Sequence, residues 1–253
     1  MNNASANLFR LAALALLLVL LFRTEWLSFM LVPLTRNNAP AIYTQNSLAS
    51  LAAGHLELIA ISIAGSAVLA VLGGIFVTRE AGAEFLPLSR AIANAGQTFP
   101  PVAVLALAVP ATGFGMVPTL IALFLYGLLP IFENTVAGLR QVPASVLDAA
   151  DGMGMSASQR LFSVELPLAL PLILEGLKVA TVINIGTATI GSTVAAKGLG
   201  EVIIAGLISD NTAFILQGGL IVGLMAVLIY DAMGLVERAI TTRIGLQMVK
   251  KSG

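Results

Sequence analysis

Few side chains in this sequence could carry covalent or metal chemistry. The 253 residues include no cysteine and a single histidine, His55, which excludes thiolate metal sites, cysteine nucleophiles and disulfide frameworks. Neither Gly-x-Ser-x-Gly nor His-Glu-x-x-His occurs, so the motifs of serine hydrolases and zinc proteases are missing. We predict no catalytic residue and no metal site in this chain.

A phosphate-binding loop is also missing. Such a loop needs Gly-x₄-Gly-Lys-Ser/Thr, so that backbone amides and a lysine surround the phosphates. The nearest match is Gly245-x₄-Lys250-Lys251-Ser252, in which a lysine replaces the second glycine. We interpret it as part of a basic tail and predict that this chain does not hydrolyse ATP.

Ionisable residues within apolar segments would indicate ion-coupled transport, because they are costly in a membrane. The candidates lie near segment ends: His55, Glu57, Glu133 and Asp231. Glu175 and Lys178 are one helical turn apart and can pair. No predicted span carries a charge at its middle, which argues against a proton relay.

Neutral polar residues supply the candidates for a translocation path. Asn184, Thr187 and Gly191 follow i, i+3 and i+7 spacing and would share one face of a helix, and Gln97 and Thr98 lie in another apolar segment. Amides and hydroxyls suit an uncharged or zwitterionic solute. Helix–helix packing is the alternative role for the same residue types.

The elements that would hold these residues are membrane-spanning helices. Hydrophobic residues make up 58% of the chain and charged residues 10%, against roughly 45–50% and 25% in soluble domains. A span needs about 20 mostly apolar residues. We predict six spans, the first of which could instead be a signal peptide, from these segments: Leu11–Phe22, Leu58–Thr78, Ala91–Phe132 (two spans with a turn at Pro110–Pro118), Val179–Ala196 and Asn211–Tyr230.

Basic residues near the span ends predict the orientation. With both termini in the cytoplasm, ten basic residues face inside and three face outside, namely Arg23, Arg36 and Lys197. We therefore expect a multi-pass protein of the inner (plasma) membrane, in contact with lipid. The balanced charge gives no indication of a nucleic-acid partner.

One long segment, residues 141–178, would then lie in the cytoplasm. Ser145-x-x-Asp148 and Ser156-x-x-Gln159 are capping-box patterns, and Gly152 and Gly154 permit a chain reversal between them. The pattern predicts two short helices that meet near Gly154, with Ala149 and Ala150 forming a low-profile face. An ordinary folded loop is the alternative.

This segment resembles the signature loop of ABC importer permeases, in which Glu-Ala-Ala is followed by x₃-Gly-x₉-Ile-x-Leu-Pro. The matching residues are Asp148, Ala149, Ala150, Gly154, Val164, Leu166 and Pro167, with Asp for Glu and Val for Ile. The resemblance implies an all-α, polytopic membrane helical bundle of about six transmembrane helices. It also implies that residues 141–178 form a coupling loop that docks on a separate ATPase subunit, which would bind ATP and magnesium while this chain binds no cofactor.

Further segments are similar to permeases of the glycine betaine, carnitine and choline group. They are Gln97-Thr98-Phe99-Pro100-Pro101, Leu123-Phe124-Leu125-Tyr126-Gly127-Leu128-Leu129-Pro130, Ile183-Asn184-Ile185-Gly186-Thr187-Ala188-Thr189-Ile190 and Gly198-Leu199-Gly200-Glu201. This resemblance implies import of a betaine-like solute delivered by an external binding protein, and pairing with a second permease, identical or related. An ion-coupled secondary transporter or a channel is the alternative function.

The domain prediction follows from these segments. Residues 1–47 form an extra N-terminal span with an external segment. Residues 48–240 form the permease core, which includes the coupling loop, and residues 241–253 form a basic tail.

Overall fold

A computed structural model describes residues 3–36 and 38–243. Every regular element in these two ranges is helical, as predicted for an all-α protein. The α-helices are α1 (Asn3–Phe22), α2 (Ser28–Leu31), α3 (Leu48–Val77), α4 (Leu86–Thr98), α5 (Pro101–Thr112), α6 (Met116–Arg140), α7 (Ala144–Gly152), α8 (Ala157–Arg160), α9 (Leu166–Thr187), α10 (Gly200–Ile208) and α11 (Thr212–Arg243). Short 3₁₀ turns and one π-helical turn, Leu161–Glu165, connect some of them.

Five helical segments in the described ranges are long and apolar enough to cross a membrane. They are Ser5–Phe22, Leu48–Val77, Met116–Arg140, Ala157–Val194 and Thr212–Thr242. A sixth candidate is the pair Glu80–Thr98 and Pro101–Thr112, which is bent by 93°. The predicted count of six therefore holds when this bent pair is counted as one span.

The predicted third span corresponds to two helices with a sharp bend between them. Phe99 and Pro100 separate α4 from α5, and Pro100 has an extended conformation with φ −56° and ψ 136°. Pro100 and Pro101 have no amide hydrogen to donate, and a proline disfavours the helical conformation in the residue before it. Hydropathy cannot register this bend, because the residues on both sides are equally apolar.

The predicted turn between the third and fourth spans is confirmed. Gly113 and Gly115 connect α5 to α6 with φ of +80° and +106°, a backbone region that glycine adopts without steric cost. The Gly115 amide donates a hydrogen bond of 2.6 Å to the Val194 carbonyl. The preceding Pro110 lies inside α5, so it does not itself form the turn.

Several predicted spans are narrower than the helices that contain them, and two of these differences concern candidate residues. The helix α3 begins at Leu48, so His55 and Glu57 lie inside it rather than at its outer end. The helix α9 begins at Leu166 and continues α8 and the π-helical turn, where the sequence predicted a return to the membrane only at Val179. Charge-free length locates a span but does not mark where its helix begins, because a helix can continue through ionisable residues such as His55 and Glu57.

The chain forms two compact units. The first comprises the residues up to Ser62, Phe99–Phe124 and Thr181–Tyr230. In it, His55 is fully buried, and its Nε2 lies 2.9 Å from the Ile185 carbonyl. The Nδ1 of His55 faces Gly198, where an added Cβ would lie 3.1 Å from that nitrogen.

The second unit comprises Ile63–Thr98, Leu125–Ala180 and the chain from Asp231. Its helices approach closely at glycines: a Cβ at Gly138 would lie 2.9 Å from the Ala169 carbonyl oxygen, and a Cβ at Gly176 would lie 2.7 Å from the Pro130 carbonyl oxygen. Small residues of this kind let helix backbones pack closely in a lipid environment. An apolar cluster around Leu139 continues the same α6–α9 contact.

Candidate coupling loop and translocation path

The first helix of the coupling loop is α7, and it starts earlier than predicted. Its N-cap is Pro143, and no side chain caps its first turn. The predicted capping box at Ser145 and Asp148 is therefore wrong, because both residues lie inside the helix. Pro143 suits the helix start because its fixed φ of −61° fits that position and the amide hydrogen it lacks would have no helical acceptor there.

The reversal after α7 is centred on Gly154, as predicted. Gly154 has φ +77°, and the amide of Met155 donates to the Ala150 carbonyl at 3.2 Å. The Gly154 amide donates to the Asp151 carbonyl at 2.9 Å, which completes a Schellman motif. Gly152 is the last residue of α7 and keeps a helical conformation.

The second capping box is confirmed. The Ser156 side chain accepts a hydrogen bond from the Gln159 amide at 3.3 Å, and the Gln159 side chain accepts one from the Ser156 amide at 2.8 Å. The helix that begins here is not short, however. It runs through α8 and the π-helical turn into α9 and ends at Thr187.

The signature residues divide between the surface and the interior. Asp148, Ala149 and Gly154 are exposed, whereas Ala150 is buried. The predicted low-profile face of two alanines is therefore wrong, since successive helical residues point about 100° apart and only Ala149 faces outward. The remaining signature residues are half-buried: Val164, Leu166 and Pro167.

A π-helical turn, Leu161–Glu165, precedes Pro167. The Leu166 amide donates to the Leu161 carbonyl, one residue farther than in an α-helix. Pro167 has no amide hydrogen, so an ordinary α-helical turn could not bond the carbonyl four residues before it. The wider turn adjusts the register at this point, and it leaves Glu165 buried while Phe162 stays exposed.

Glu165 is the centre of an ionic network that also contains Arg79, Arg160 and Asp151. Arg79 donates to both Glu165 oxygens, at 3.0 and 2.5 Å, and Arg160 Nε donates to Glu165 at 3.1 Å. The other end of the Arg160 guanidinium donates to both Asp151 oxygens, at 2.8 and 2.7 Å. Sequence reasoning missed this network because Arg79 and Glu165 are 86 positions apart.

A second charged cluster involves Lys178. Its ammonium contacts Glu175, the i+3 pairing predicted from sequence, and Glu237 at 2.6 Å. The Glu237 contact joins α9 to α11 and had no signal in the sequence. Glu133, a candidate for ion coupling, accepts two hydrogen bonds from Arg90, at 2.8 and 2.9 Å.

Asn184, a candidate for the translocation path, lies in the interior of the first unit. Its amide nitrogen donates to Ser62 Oγ at 3.2 Å and to the Leu123 carbonyl at 3.0 Å, so it ties α9 to α3 and α6. Its carbonyl oxygen is buried without a hydrogen-bond partner. These contacts are those of a helix-packing residue in the single chain.

The other path candidates are not brought to one helical face. Thr187 is the last residue of α9, and Gly191 lies in the 3₁₀ segment Ala188–Val194, so the predicted i+7 face is wrong for Gly191. Gly191 is buried against Thr119, whose Cγ2 would lie 2.4 Å from an added Cβ. In the second unit, Gln97 donates to the Tyr126 carbonyl at 2.8 Å, and Thr98 bonds its own helix through Ala95.

Hydrogen bonds connect the segment before α3 to the N-terminal parts of α10 and α11. The Tyr43 hydroxyl donates to Glu201 at 2.5 Å, and the Gln217 side chain accepts a hydrogen bond from the Tyr43 amide at 3.1 Å. Burial, followed by the hydrogen bond and charge of Glu201, raises the pKa of Tyr43 to about 12. A cavity of about 500 Å³ lies beside this contact, with Glu201 and Phe214 in its wall.

No group of three His, Asp or Glu side chains that could hold a metal ion occurs within residues 3–36 and 38–243. The geometry instead places a capped helical hairpin and an ionic network on apolar helices of membrane-spanning length. Such an arrangement suits a protein in which movement of the hairpin is transmitted to the apolar helices.

Comparison with known proteins identifies the class. Residues 70–245 match the family described as binding-protein-dependent transport system inner membrane component, and the chain belongs to this family. It is thus a multi-pass inner-membrane permease subunit of an ABC importer.

The chain is 41% identical over 175 residues to the osmoprotectant import permease protein OsmY of Salmonella typhimurium, covering 69% of this chain and 74% of that protein. It is 35% identical over 200 residues to the glycine betaine/carnitine/choline transport system permease protein OpuCB of Bacillus subtilis, covering 78% and 89%. Among solved structures, a chain of the MetNI methionine ABC transporter in an inward-facing conformation matches with a TM-score of 0.65 and 25% identity, covering 74% of this chain and 93% of that one.

Proposed function

We propose that this chain is the permease of an importer for small quaternary-ammonium or zwitterionic osmoprotectants, such as glycine betaine, choline or carnitine. The capped hairpin of α7 and α8 carries the proposal, because its exposed Asp148, Ala149 and Gly154 form a surface to which an ATPase subunit could dock. The solute class is supported by the relatives, whose names refer to osmoprotectants, glycine betaine, carnitine and choline.

The chemical work is divided among subunits in this proposal. A separate ATPase binds and hydrolyses ATP with magnesium, and an external binding protein captures the solute. A second permease, identical or related, supplies the second coupling loop. This chain conducts the solute and converts movement of the ATPase into movement of its helices, and no covalent step takes place on it.

The orientation completes the proposal. Both termini and the coupling loop lie in the cytoplasm, and α10 lies outside. Closure of the ATPase dimer around ATP would displace α7, and the helices following it would open the path toward the binding protein. The sixth candidate span, bent at Pro100, would contribute Gln97 and Thr98 to the path.

Asn184 and Thr187 remain proposed path residues, and a pair of variants tests them. Asn184→Leu removes the ties to Ser62 and Leu123, whereas Thr187→Val changes a half-buried hydroxyl at the end of α9. If both residues line the path, the double variant should assemble but import solute more slowly. Unchanged uptake by the assembled double variant would remove both from the path.

The function itself is tested by reconstituting the permease with its ATPase and binding protein in liposomes. ATP hydrolysis and uptake of labelled solute are measured with glycine betaine, choline, carnitine and, as a control, methionine. We expect stimulation of both activities by at least one of the first three solutes and none by methionine. Solute uptake without the ATPase would contradict the proposal and favour a secondary transporter or a channel.

A further inference from the structure

We propose that Arg79, Glu165, Arg160 and Asp151 form the linkage through which α7 moves the adjoining ends of α3 and α9. The proposal rests on the proposed function, since it assigns to these four residues the transmission step of the import cycle. In this proposal they are positioning residues, which act through the helices and not by contacting solute or nucleotide.

The contact between Arg160 and Asp151, which we call the lower link, crosses the turn between α7 and α8. The chain here passes through Met153–Ser156, with Gly154 at positive φ. Such a turn could bend and absorb a displacement of α7. Arg160 spans it by donating to both oxygens of Asp151, which lies in the last turn of α7. Both bonds come from the same nitrogen, Nη1, and a charge-assisted contact of this kind is stronger than a neutral hydrogen bond, so the hairpin should move as one piece.

The contact between Arg79 and Glu165, which we call the upper link, joins the hairpin to the end of α3. Arg79 lies two residues after the end of α3 and donates to both oxygens of Glu165, whose side chain is only 5% exposed. Arg160 also donates to Glu165 through Nε, so one guanidinium serves both links. The π-helical turn brings Glu165 inward, where it can accept from both arginines.

Stability alone gives a weak reason for this arrangement. A buried ion pair is often no more stabilising than apolar residues of the same volume, because both charges must be desolvated. Apolar packing is already present, since Val71 and Ile75 of α3 pack with Leu166 of α9 on one cluster. What the charges add is a directional connection from α7 to this packed region.

Charge balance supports a single linked unit. Two arginines and two carboxylates alternate in the order Arg79, Glu165, Arg160, Asp151, so each inner member is shared by two partners. Asp151 is the most exposed member, with 51% of its side chain accessible, and it lies at the helix that would contact the ATPase. The exposed fraction of the side chain thus falls from Asp151 through Arg160 to Glu165.

Two variants cut the linkage at different places in the complete reconstituted importer. Asp151→Ala removes the lower link and leaves Glu165 paired with Arg79. The double variant Arg79→Gln with Glu165→Gln removes the upper link without leaving a buried charge unpaired. The control is Arg90→Gln with Glu133→Gln, which removes a bidentate pair between α4 and α6 outside the network. Asp151→Glu serves as the conservative rescue.

The measured quantity is solute imported per ATP hydrolysed, together with ATPase co-purification and thermal stability. Both network variants should import about threefold less solute per ATP, the shift expected from losing a partly exposed ion pair. Co-purification should match that of the unaltered importer, and Asp151→Glu should restore the ratio. The control double variant should import as much solute per ATP as the unaltered importer, and any effect it has should be on thermal stability alone.

Three results would overturn the inference. They are an unchanged ratio in both network variants, a loss of ATPase capture with the ratio preserved, and an equal fall in the ratio in the control. Failure of the proposed function is distinguishable, because the unaltered importer would then show no solute-stimulated hydrolysis at all.

Discussion

Gly154 holds the left-handed conformation that ends α7, and nothing lies within 4 Å of where its Cβ would be. The backbone conformation therefore favours glycine at this position, since there is room for a larger side chain. The same loop contains Gly152, which is equally open but helical. The two glycines form a matched pair in which only the backbone angle differs.

Gly154→Val should leave the protein in the membrane but weaken its capture of the ATPase. A side chain in this conformation costs about 1–2 kcal/mol, and about 1.4 kcal/mol is a tenfold change in an equilibrium. Gly152→Val meets no such strain and serves as the control. The measurement is the ATPase subunit co-purified with tagged permease. Equal capture by both variants would contradict the docking role of the turn.

Tyr43 should give the protein a pH-dependent stability in the alkaline range. Its pKa is raised to about 12, from an ordinary value of 10 in the unfolded chain. The neutral phenol is thus favoured by folding, and its contribution is complete below pH 10 and is lost as the pH rises to 12. The temperature of thermal unfolding should fall less steeply between pH 8 and pH 12 in Tyr43→Phe than in the unaltered chain. Identical slopes would show that the hydrogen bond to Glu201 does not govern this region.

At the scale of the elements, adjacent glycines in α3 make different contacts. A Cβ at Gly74 would lie 2.6 Å from Thr135 Cγ2, whereas a Cβ at Gly73 would lie 3.7 Å from the Phe132 ring. Thr135 cannot easily turn away, because its hydroxyl is bonded to the Ile131 carbonyl at 2.7 Å. The contact between α3 and α6 therefore depends on Gly74.

Gly74→Ala should destabilise the protein by about 1–3 kcal/mol through overpacking. Gly73→Ala should be neutral or stabilising, because alanine favours the helix and makes an ordinary van der Waals contact. Thermal unfolding of the purified permease in detergent compares the two variants directly. An equal loss of stability at both positions would mean that helix packing does not determine the effect.

Sequence alone predicted the long apolar helices and the helical hairpin, because apolar length and some capping patterns act locally. The capping box at Ser156 and the positive φ at Gly154 belong to this group. The bend at Pro100 was missed because it leaves hydropathy unchanged. The contact of Arg79 with Glu165 was missed because it depends on how distant helices pack, which one sequence does not encode in any spacing.

At the scale of the whole molecule, apolar side chains remain exposed along helices of spanning length. On α3 these include Val68, with 63% of its surface accessible, together with Leu69 and Leu72. A water-exposed protein could not carry such a surface without association. Lipid or a second permease would cover it, in agreement with a multi-pass member of the family.

The absence of cysteine makes the orientation directly testable. A single cysteine at Ile208, which is 83% exposed at the end of α10, should react with a membrane-impermeant maleimide added outside the cell. A cysteine at the exposed Glu84 should react only after the membrane is opened, because the excess of basic residues places that connection inside. The cysteine-free chain gives the background, and uptake by each variant confirms that it is folded. Labelling of the Glu84 position from outside, with the Ile208 position labelled only after the membrane is opened, would reverse the assigned topology and remove the coupling loop from the side where the ATPase must bind.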